Sequence, residues 1–524
     1  MGKISVLDCT LRDGGYINNW KFGEKAIRDI GQKIIRSHVE YFEVGFVKDV
    51  VYDPDYSIFS GNQDVAPVIA PKDPNVIYVG MVDMGAPIPL EKLGERVPEG
   101  FDGIRVIFKK DRIREGYDYC KQLIELGYIT AAQLVGTDEY DDVELVDTVR
   151  LFATLKIAAL SIVDTFGLIK RKDFLRMVSL IDHNMPREIA LAYHSHNNLQ
   201  QAMGNASALV EENLQREIII DACVFGMGRG AGNLNLELFL EYLNEGYGKK
   251  YRIEPLLEVI DEYLNDIYCQ EFWGYSLPFY LSATTGSHPN YAKYFAKKGT
   301  LTLKAFNEIL RSMPYEVKKI YSAEKAEQTY IEFQKNYYDD KDDMQRLRNE
   351  LHGKSVMLVG AGATVEKHAE QIRQQIREKD MTVISLNHIS ECITSDYVFS
   401  SHMRRYSKIQ DTENVKKIIT SNIRDAKNYD YQVNFSSFAS DKPEIMDNSG
   451  IMCMKLLMEL GVTDIYLAGF DGYDSGKKRN YINSGLEYGF TEEDMEKRNR
   501  LLKESIEALS RHLSICFVTD SMYC

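Results

Sequence analysis

The stretch Ala192-Tyr193-His194-Ser195-His196-Asn197-Asn198 sets two histidines one residue apart at the end of the apolar run Ile189-Ala190-Leu191-Ala192. Side chains alternate faces along a strand, so His194 and His196 are expected to point the same way. Two imidazoles converging at a strand end make half of a divalent-metal site. A buried or capping pair of histidines is the competing reading, because imidazole satisfies cores as well as metals.

The elements that must position this pair have a regular rhythm. Strand-like runs are Ile4–Cys9, Tyr41–Gly45, Ile77–Val82, Gly103–Phe108, Tyr128–Leu134, Ala158–Val163, Ile189–Tyr193 and Ile218–Val224. Amphipathic patterns lie between them, among them Glu24–Ser37, Gly116–Leu126, Asp142–Leu155, Lys172–Ile181 and Leu199–Glu212. The segment after the third run is the weakest, since Pro87, Pro89 and Pro98 crowd its helix. Eight strand–helix units predict a (β/α)8 barrel, with a doubly wound open sheet as the alternative that the unbroken repetition disfavours.

Such barrels carry chemistry at the C-terminal ends of their strands. Those positions hold Asp8, Asp13, Glu43, Asp83, Arg105, Gln133, Asp164, Thr165, His194 and His196, followed by the glycine-rich loop 226–233. Exposed strand ends are polar in any protein, but Glu43, Arg105 and Gln133 interrupt otherwise apolar strands and there need partners.

Three of these segments carry a family resemblance. Asp8-Cys9-Thr10-Leu11-Arg12-Asp13-Gly14 resembles the opening motif of the DRE-TIM metallolyases, which include 4-hydroxy-2-oxovalerate aldolases, HMG-CoA lyases and isopropylmalate-synthase-like Claisen enzymes. His194-Ser195-His196-Asn197 and Gly228-Arg229-Gly230-Ala231-Gly232-Asn233 resemble the seventh- and eighth-strand motifs of that superfamily. The resemblance spans residues 1–290 and implies that Asp13, His194 and His196 bind Mn2+ or Mg2+, with Asn233 a further ligand. One carboxylate and two neutral imidazoles leave open positions where a 2-oxo acid can chelate, so that the metal acts as Lewis acid toward an enolate. Arg12 is either a second positive donor to that enolate or a salt-bridge partner of Glu43 or Asp164. Glu43 and Asp164 are alternatively groups that orient the histidines, while Arg105, Gln133, Asp164 and Thr165 are candidates for substrate binding.

Two departures from the family bear on activity. Where the aldolase branch has a histidine three residues after the metal aspartate, this chain has Tyr16, a poor base at its ordinary pKa. Tyr16 is then a proton donor or a stacking wall, and His288 or Tyr291, in the polar segment 282–291, is the candidate replacement acid/base. The glycine loop has no cysteine, unlike that of HMG-CoA lyase, so that activity is not expected.

Bulk properties bound the rest. A 524-residue chain requires more than one core, and 44% hydrophobic with 27% charged residues is a globular composition. A net charge of −15 argues against nucleic acid or anionic membranes as partners, and no apolar run is long enough to span a bilayer. The amino terminus has no signal-peptide pattern, and the eight cysteines are scattered without a CxxC, so a cytoplasmic protein with reduced thiols is expected, as a homo-oligomer.

Residues 235–335 read as helical (Leu236–Tyr247, Ile253–Tyr268, Leu303–Ser312, Ala323–Lys335), and 337–343 as a charged linker, so that 291–345 forms an extension. A second α/β domain, Rossmann-like, occupies 346–524 and opens with the strand and glycine loop Ser355–Gly362, then the helix Val365–Glu378. Val365 stands where a third glycine belongs and Asn387 where an acid belongs, which disfavours a dinucleotide. This part is similar to the sialyltransferase-like and hydroxymethylpterin-pyrophosphokinase-like domains found with bacterial surface-glycan genes. That resemblance implies a nucleotide or nucleotide-sugar held by Gly360, Gly362, Ser449, Gly450 and Asp471, with His402 a further candidate.

The expected function is metal-dependent aldol or retro-aldol chemistry on a 2-oxo acid such as pyruvate with an aldehyde partner, serving surface-glycan precursor synthesis. The alternatives are a Claisen-type acyltransferase using acetyl-CoA, a binding or scaffold protein, and a C-terminal glycosyltransferase with a binding-only barrel.

Overall fold

The computed structural model describes residues 2–335, 338–474, 476, 480–481, 486 and 489–524. It divides into two compact units, Met1–Pro289 and Asn290–Cys524.

The first unit is a closed parallel barrel of eight strands: β1 (Ile4–Asp8), β2 (Tyr41–Val47), β3 (Ile77–Asp83), β4 (Gly103–Phe108), β5 (Ile129–Val135), β6 (Ala159–Asp164), β7 (Ala190–Ser195) and β8 (Ile218–Ala222). β1 pairs with β8 on one side and closes the barrel on β2 through Leu7–Tyr41 and Asp8–Phe42. Each strand is followed by its helix: α1 (Glu24–Arg36), α2 (Asn62–Ile69), α3 (Leu90–Leu93), α4 (Ile113–Glu125), α5 (Asp142–Phe152), α6 (Arg171–Asn184), α7 (Ala202–Glu211) and α8 (Leu236–Tyr247). The proline-crowded third unit keeps only the four-residue α3. Of these helices α5 alone is closed by its N-cap side chain: Asp141 accepts from the Glu144 N–H while Glu144 accepts from the Asp141 N–H.

Near-continuous apolar strands such as Ile218-Ile219-Ile220 fill the barrel wall, as burial on both faces demands. β2 is irregular: its register to β3 shifts between Glu43 and Gly45, and just beyond, at Phe46 and Val47, the short strand Ile58–Phe59 pairs with it. A Cβ on Gly45 would overlap the Ser57 carbonyl, so the close approach requires glycine. Bulges of this kind re-aim side chains near active sites.

The expected helix Ile253–Tyr268 is three pieces, Glu254–Val259, a π-helical turn Ile260–Leu264, and Asn265–Gln270. The polar segment 282–291 is not one loop: Leu277–Thr284 is helical with Ser276 capping it, and Pro289–Lys298 starts a new helix where proline is tolerated.

The second unit holds a seven-stranded parallel sheet of β9 (Ser355–Val359), β10 (Thr382–Leu386), β11 (Tyr397–Ser400), β12 (Lys416–Thr420), β13 (Tyr431–Val433), β14 (Asp464–Ala468) and β15 (Ser514–Phe517). Their order is β13-β12-β11-β10-β9-β14-β15, so the order reverses between β9 and β14. The expected linker 337–343 needs correction, since Asp342 and Asp343 fall in the first turn of a helix, Lys341–Leu351, where acidic side chains favour the helix dipole; Tyr337 lies outside the described residues. The single helix expected over Val365–Glu378 is two, Thr364–Lys367 and Ala369–Glu378, broken at His368 (φ −111°, ψ 18°). Among the described residues no helix is long and apolar enough to cross a membrane.

Candidate metal centre

The loop after β1 is folded by its own side chains. Asp8 accepts from the Thr10 amide (3.0 Å) and hydroxyl (2.6 Å), and the Asp13 N–H returns to the Cys9 carbonyl at 2.8 Å. Thr10 Oγ1 also accepts the Val224 N–H at 2.8 Å, which ties the loop to the end of β8. Trp20 Nε1 donates to the Arg12 carbonyl at 2.7 Å, and a Cβ on Gly15 would overlap that indole. Arg12 and Asp13 are thereby fixed and buried at the barrel mouth.

β7 brings its two histidines to the same carboxylate. His194 Nε2 lies 3.8 Å from Asp13 Oδ1, and His196 Nε2 lies 3.9 Å from Asp13 Oδ2. One ligand atom from each of these residues falls within 4.8 Å of the others. His194 Nδ1 is 3.1 Å from Asp221 Oδ2. Burial opposes the ionisation of Asp221, but Arg105 and His194 outweigh it and hold its pKa below the ordinary value. The carboxylate can therefore only accept, so Nδ1 donates to it and Nε2 is the nitrogen turned toward Asp13. His196 is pushed down to about 3 by burial, against the pull of Asp13, so its imidazole is neutral and able to ligate. Burial would raise Asp13, but Arg12, His196, His194 and Arg229 reverse this and hold it well below the carboxylate range.

The donor set fits a divalent cation. Asn233 spends its Nδ2 on Asp13 Oδ2 (2.7 Å), the Met227 carbonyl (2.9 Å) and Cys223 Sγ (3.2 Å), while its buried Oδ1 has no hydrogen-bond partner. That orphaned acceptor, beside a carboxylate and two imidazole nitrogens, suits a hard or borderline cation. Cys9, His194 and Asp221 form a second cluster sharing His194. Burial and the Cys223 thiol, 3.4 Å away, raise the Cys9 pKa well above its ordinary value, so this thiol stays protonated and is a poor ligand.

Beneath the ligands runs an alternating chain of buried charges. Arg12 pairs with Asp13 and donates Nε to Glu43 Oε2 at 2.6 Å. Arg105 Nη1 takes Glu43 Oε1 at 3.0 Å, and Arg105 Nη2 pairs with Asp221 and donates to Gln133 Oε1 at 2.9 Å. Asp221 then returns to His194, so that Asp13, Arg12, Glu43, Arg105, Asp221 and His194 link the loop after β1 to the four strands β2, β4, β7 and β8. Each carboxylate is matched by a guanidinium, which is what makes burial of so many charges tolerable.

The other expected site residues fall in different places. Gln133 is in the barrel interior with its Nε2 unpartnered. The Asp164 carboxylate accepts the Leu168 (2.8 Å) and Ile169 (3.1 Å) amides, and Thr165 Oγ1 accepts the Gly136 N–H at 2.8 Å. Both residues brace the loops that follow their strands. Asp164 makes no ion pair with Arg12, whose carboxylate partners are Asp13 and Glu43. Tyr16 stacks edge-on to Trp20 (4.7 Å) and Phe46 (6.0 Å), with the Arg229 guanidinium 4.0 Å over its ring. Burial raises the Tyr16 pKa, so its phenol stays protonated. His288 is pushed down to about 4 by burial, then by Arg229 and Lys109. Asp221 was not foreseen, although an acid inside Ile218-Ile219-Ile220-Asp221-Ala222 is the same signal that singled out Glu43.

Comparison with known proteins accords with this geometry. The HMGL-like family model matches residues 123–257. The 4-hydroxy-2-oxovalerate aldolase of Serratia proteamaculans is 31% identical over 262 residues, covering 49% of this chain and 77% of that protein. The chain belongs to the HMGL-like family. The 4-hydroxy-2-oxovalerate aldolase of Thermomicrobium roseum is 24% identical over 255 residues, 48% of this chain and 69% of that one. Among solved structures, the N-terminal domain of a proposed aldolase from Bacteroides vulgatus has the same fold, with TM-score 0.51 and 23% identity over 59% of this chain and 100% of that domain. This HMGL-like chain is thus a member of a lyase family whose aldolases use a divalent metal, and its barrel carries a cluster that fits one.

In the second unit of this HMGL-like protein, Gly360, Gly362, Ser449, Gly450, Asp471 and His402 all line one cavity of about 140 Å3. It sits where the sheet order reverses, between the loops after β9 and β14. A Cβ on Gly360 would come within 2.5 Å of the Gly469 carbonyl, so the two loops touch only because that residue is glycine. Asp471 faces the cavity but is already engaged, its carboxylate accepting the Thr364 amide (3.0 Å) and hydroxyl.

Proposed function

We propose that the barrel catalyses a metal-dependent aldol or retro-aldol reaction on a 2-oxo acid, with pyruvate as the enolate partner. The observation that carries this reading is the convergence of Asp13, His194 and His196 with the free Oδ1 of Asn233 above the buried Arg12–Glu43–Arg105–Asp221 chain. Held by these residues, a divalent ion, Mn2+ or Mg2+, supplies Lewis acidity to the carbonyl of the 2-oxo acid.

The chain's own groups supply the rest. Arg12 spends Nε on Glu43 and Nη1 on Asp13, and its Nη2 is left to face a developing enolate oxygen. Glu43 holds that guanidinium in place and Arg105 holds Glu43. In the cleavage direction the 4-hydroxyl proton passes to a base, the C3–C4 bond breaks, and its electron pair becomes the enolate. Protonation at C3 then gives pyruvate. His288, neutral near pH 7, is suited to accept the hydroxyl proton, and the protonated Tyr16 phenol is suited to donate.

For the second domain, taken as 346–524 after an extension over 291–345, we propose a nucleotide or nucleotide-sugar ligand in the cavity between the β9 and β14 loops. Support comes from the glycine-mediated approach of those loops and from the start of the helix Ser449–Glu459 at the same cavity. The pair of domains would then serve glycan-precursor synthesis in the cytoplasm.

The barrel reading is tested by pyruvate release from a panel of 4-hydroxy-2-oxo acids, 4-hydroxy-2-oxovalerate included, with Mn2+ and with EDTA. Metal-dependent release is expected. Acetyl-CoA-dependent thiol release in its place would move the protein to Claisen chemistry.

A further inference from the structure

Resting on the aldolase reading, we propose that the acceptor aldehyde carries an anionic group, a phosphate or a carboxylate, held at the barrel mouth by Arg229 and Lys48. Arg229 stands in the loop after β8, and that loop is rigidly set. The Ala231 N–H is bound by Asn198 Oδ1 at 2.8 Å, and Gly230 and Gly232 adopt φ of 65° and 77°, a region that favours glycine. Its guanidinium lies 4.0 Å over the Tyr16 ring, and its charge helps to lower both Asp13 and His196, so it borders the ligand cluster.

Lys48 follows β2 directly, with Nζ 4.4 Å from the Phe46 ring and 4.7 Å from Trp20. Tyr16, Trp20 and Phe46 form one aromatic cluster, with ring centroids 4.7 to 6.0 Å apart. That cluster therefore carries Arg229 on Tyr16 and Lys48 on Trp20 and Phe46, besides the ion-paired Arg12, 5.7 Å over Phe46. Among the described residues, neither Arg229 nor Lys48 has a carboxylate within ion-pair distance. Asp83, the acid that acts on Lys48 from a distance, spends Oδ1 on the Gly85 N–H at 2.7 Å.

Every deeper cation at this mouth is matched: Arg12 by Asp13 and Glu43, Arg105 by Glu43 and Asp221. Arg229 and Lys48 are half-buried and unmatched, in a chain whose net charge is −15. Burial pushes Lys48 down, the cost of holding a charge without a counter-ion. An anion bound between them recovers that cost, and the guanidinium fork suits phosphate or carboxylate. With the 2-oxo acid at the ligand cluster, the aldehyde's substituent extends outward past Tyr16. The reaction itself is a balanced aldol addition: pyruvate C3 loses a proton and bonds to the aldehyde carbon, and the aldehyde oxygen gains a proton.

The Mn2+-loaded full chain is assayed for pyruvate consumption with matched acceptors, D-glyceraldehyde 3-phosphate against D-glyceraldehyde and succinic semialdehyde against butyraldehyde. In at least one pair the anionic member should have kcat/KM about tenfold higher or more, as a charge-assisted contact implies. The preferred pair tells phosphate from carboxylate. Arg229→Gln and Lys48→Gln should each shrink that ratio, Arg229→Lys less so, and added salt should shrink it in the wild type. Equal kcat/KM in both pairs, or a ratio untouched in the double Gln variant, overturns the proposal.

A titration independent of turnover uses Trp20 emission, with Trp20→Phe as the blank. A saturable response to glycerol 3-phosphate or succinate but not to glycerol, lost in the double variant, is expected; no response to either anion overturns the anion site. Absence of any pyruvate chemistry alongside a positive titration would instead overturn the aldolase reading alone.

Discussion

His194 and Asp221 meet at 3.1 Å through Nδ1 and Oδ2, and the same ring turns Nε2 to within 3.8 Å of Asp13. The contact joins the end of β7 to β8 and decides which nitrogen of His194 can bind a cation. Asp221→Asn keeps the shape and removes the charge that orients the imidazole. Mn2+ affinity measured by calorimetry should fall about 10- to 100-fold. An affinity within twofold of wild type would deny Asp221 the orienting role.

His288 and Tyr16 divide the acid/base work in a way that pH can resolve. Burial, then Arg229 and Lys109, push His288 down to about 4, so the acidic limb of kcat/KM should lie near 4 and not near the ordinary 6.5. His288→Asn should cost about 100-fold and remove that limb. Tyr16→Phe should lower the rate without moving the limb, because its phenol is already protonated there. A His288→Asn enzyme of undiminished rate would exclude that imidazole as the base.

Asp8 gives stability a pH dependence of known sign. Burial, against the Thr10 hydrogen bonds, raises it to about 7, while in the unfolded chain it ionises near 3.9. From about pH 4 to about pH 7 the native state keeps a proton that the unfolded state has lost, so this group's contribution falls as pH rises through that window. Asp164, also raised to about 7 by burial, acts in the same direction. Asp8→Asn should flatten the decline of Tm between about pH 4 and pH 8, measured by thermal melts at constant ionic strength. Parallel melting curves would contradict it.

Arg216 is fully buried and saturated. Its Nε takes Asp182 Oδ1 at 2.5 Å, and its other nitrogens take the carbonyls of Asp182, Met185, Pro186 and Ile189 at 2.8 to 2.9 Å. It pins the turn between α6 and β7, the strand that delivers both histidines. Arg216→Met strands four carbonyls and should cost about 3 kcal/mol or more in urea denaturation. Unchanged stability would mean that water replaces the guanidinium at no cost.

The barrel was legible because its strands are apolar on both faces and its helices amphipathic, so the rhythm survives in sequence, with strand boundaries off by at most two residues and helix boundaries by up to three. The His194–His196 pair was legible because period-two spacing along a strand fixes a common side. Orientation at the rim was not. Asp164 and Asp13 look alike as acids after strands, but the Leu168 and Ile169 amides claim the first, and only tertiary pairing reveals that. The helix Glu492–Leu509 was missed because few of its residues, Leu502, Ile506 and Leu509 among them, are buried apolar ones, too few to mark a stripe over 18 positions. The unmatched state of Arg229 and Lys48 is a property of what is absent around them and leaves no trace in spacing.

The central claim, enolisation of a 2-oxo acid at the Asp13–His194–His196 cluster, is tested most directly by proton–deuterium exchange at the methyl group of pyruvate, followed by NMR. No aldehyde needs to be known. Exchange that requires Mn2+ or Mg2+, stops with EDTA and is lost in His194→Ala is the predicted result. An absence of exchange with any divalent ion, in a protein shown by calorimetry to bind that ion, would contradict the account.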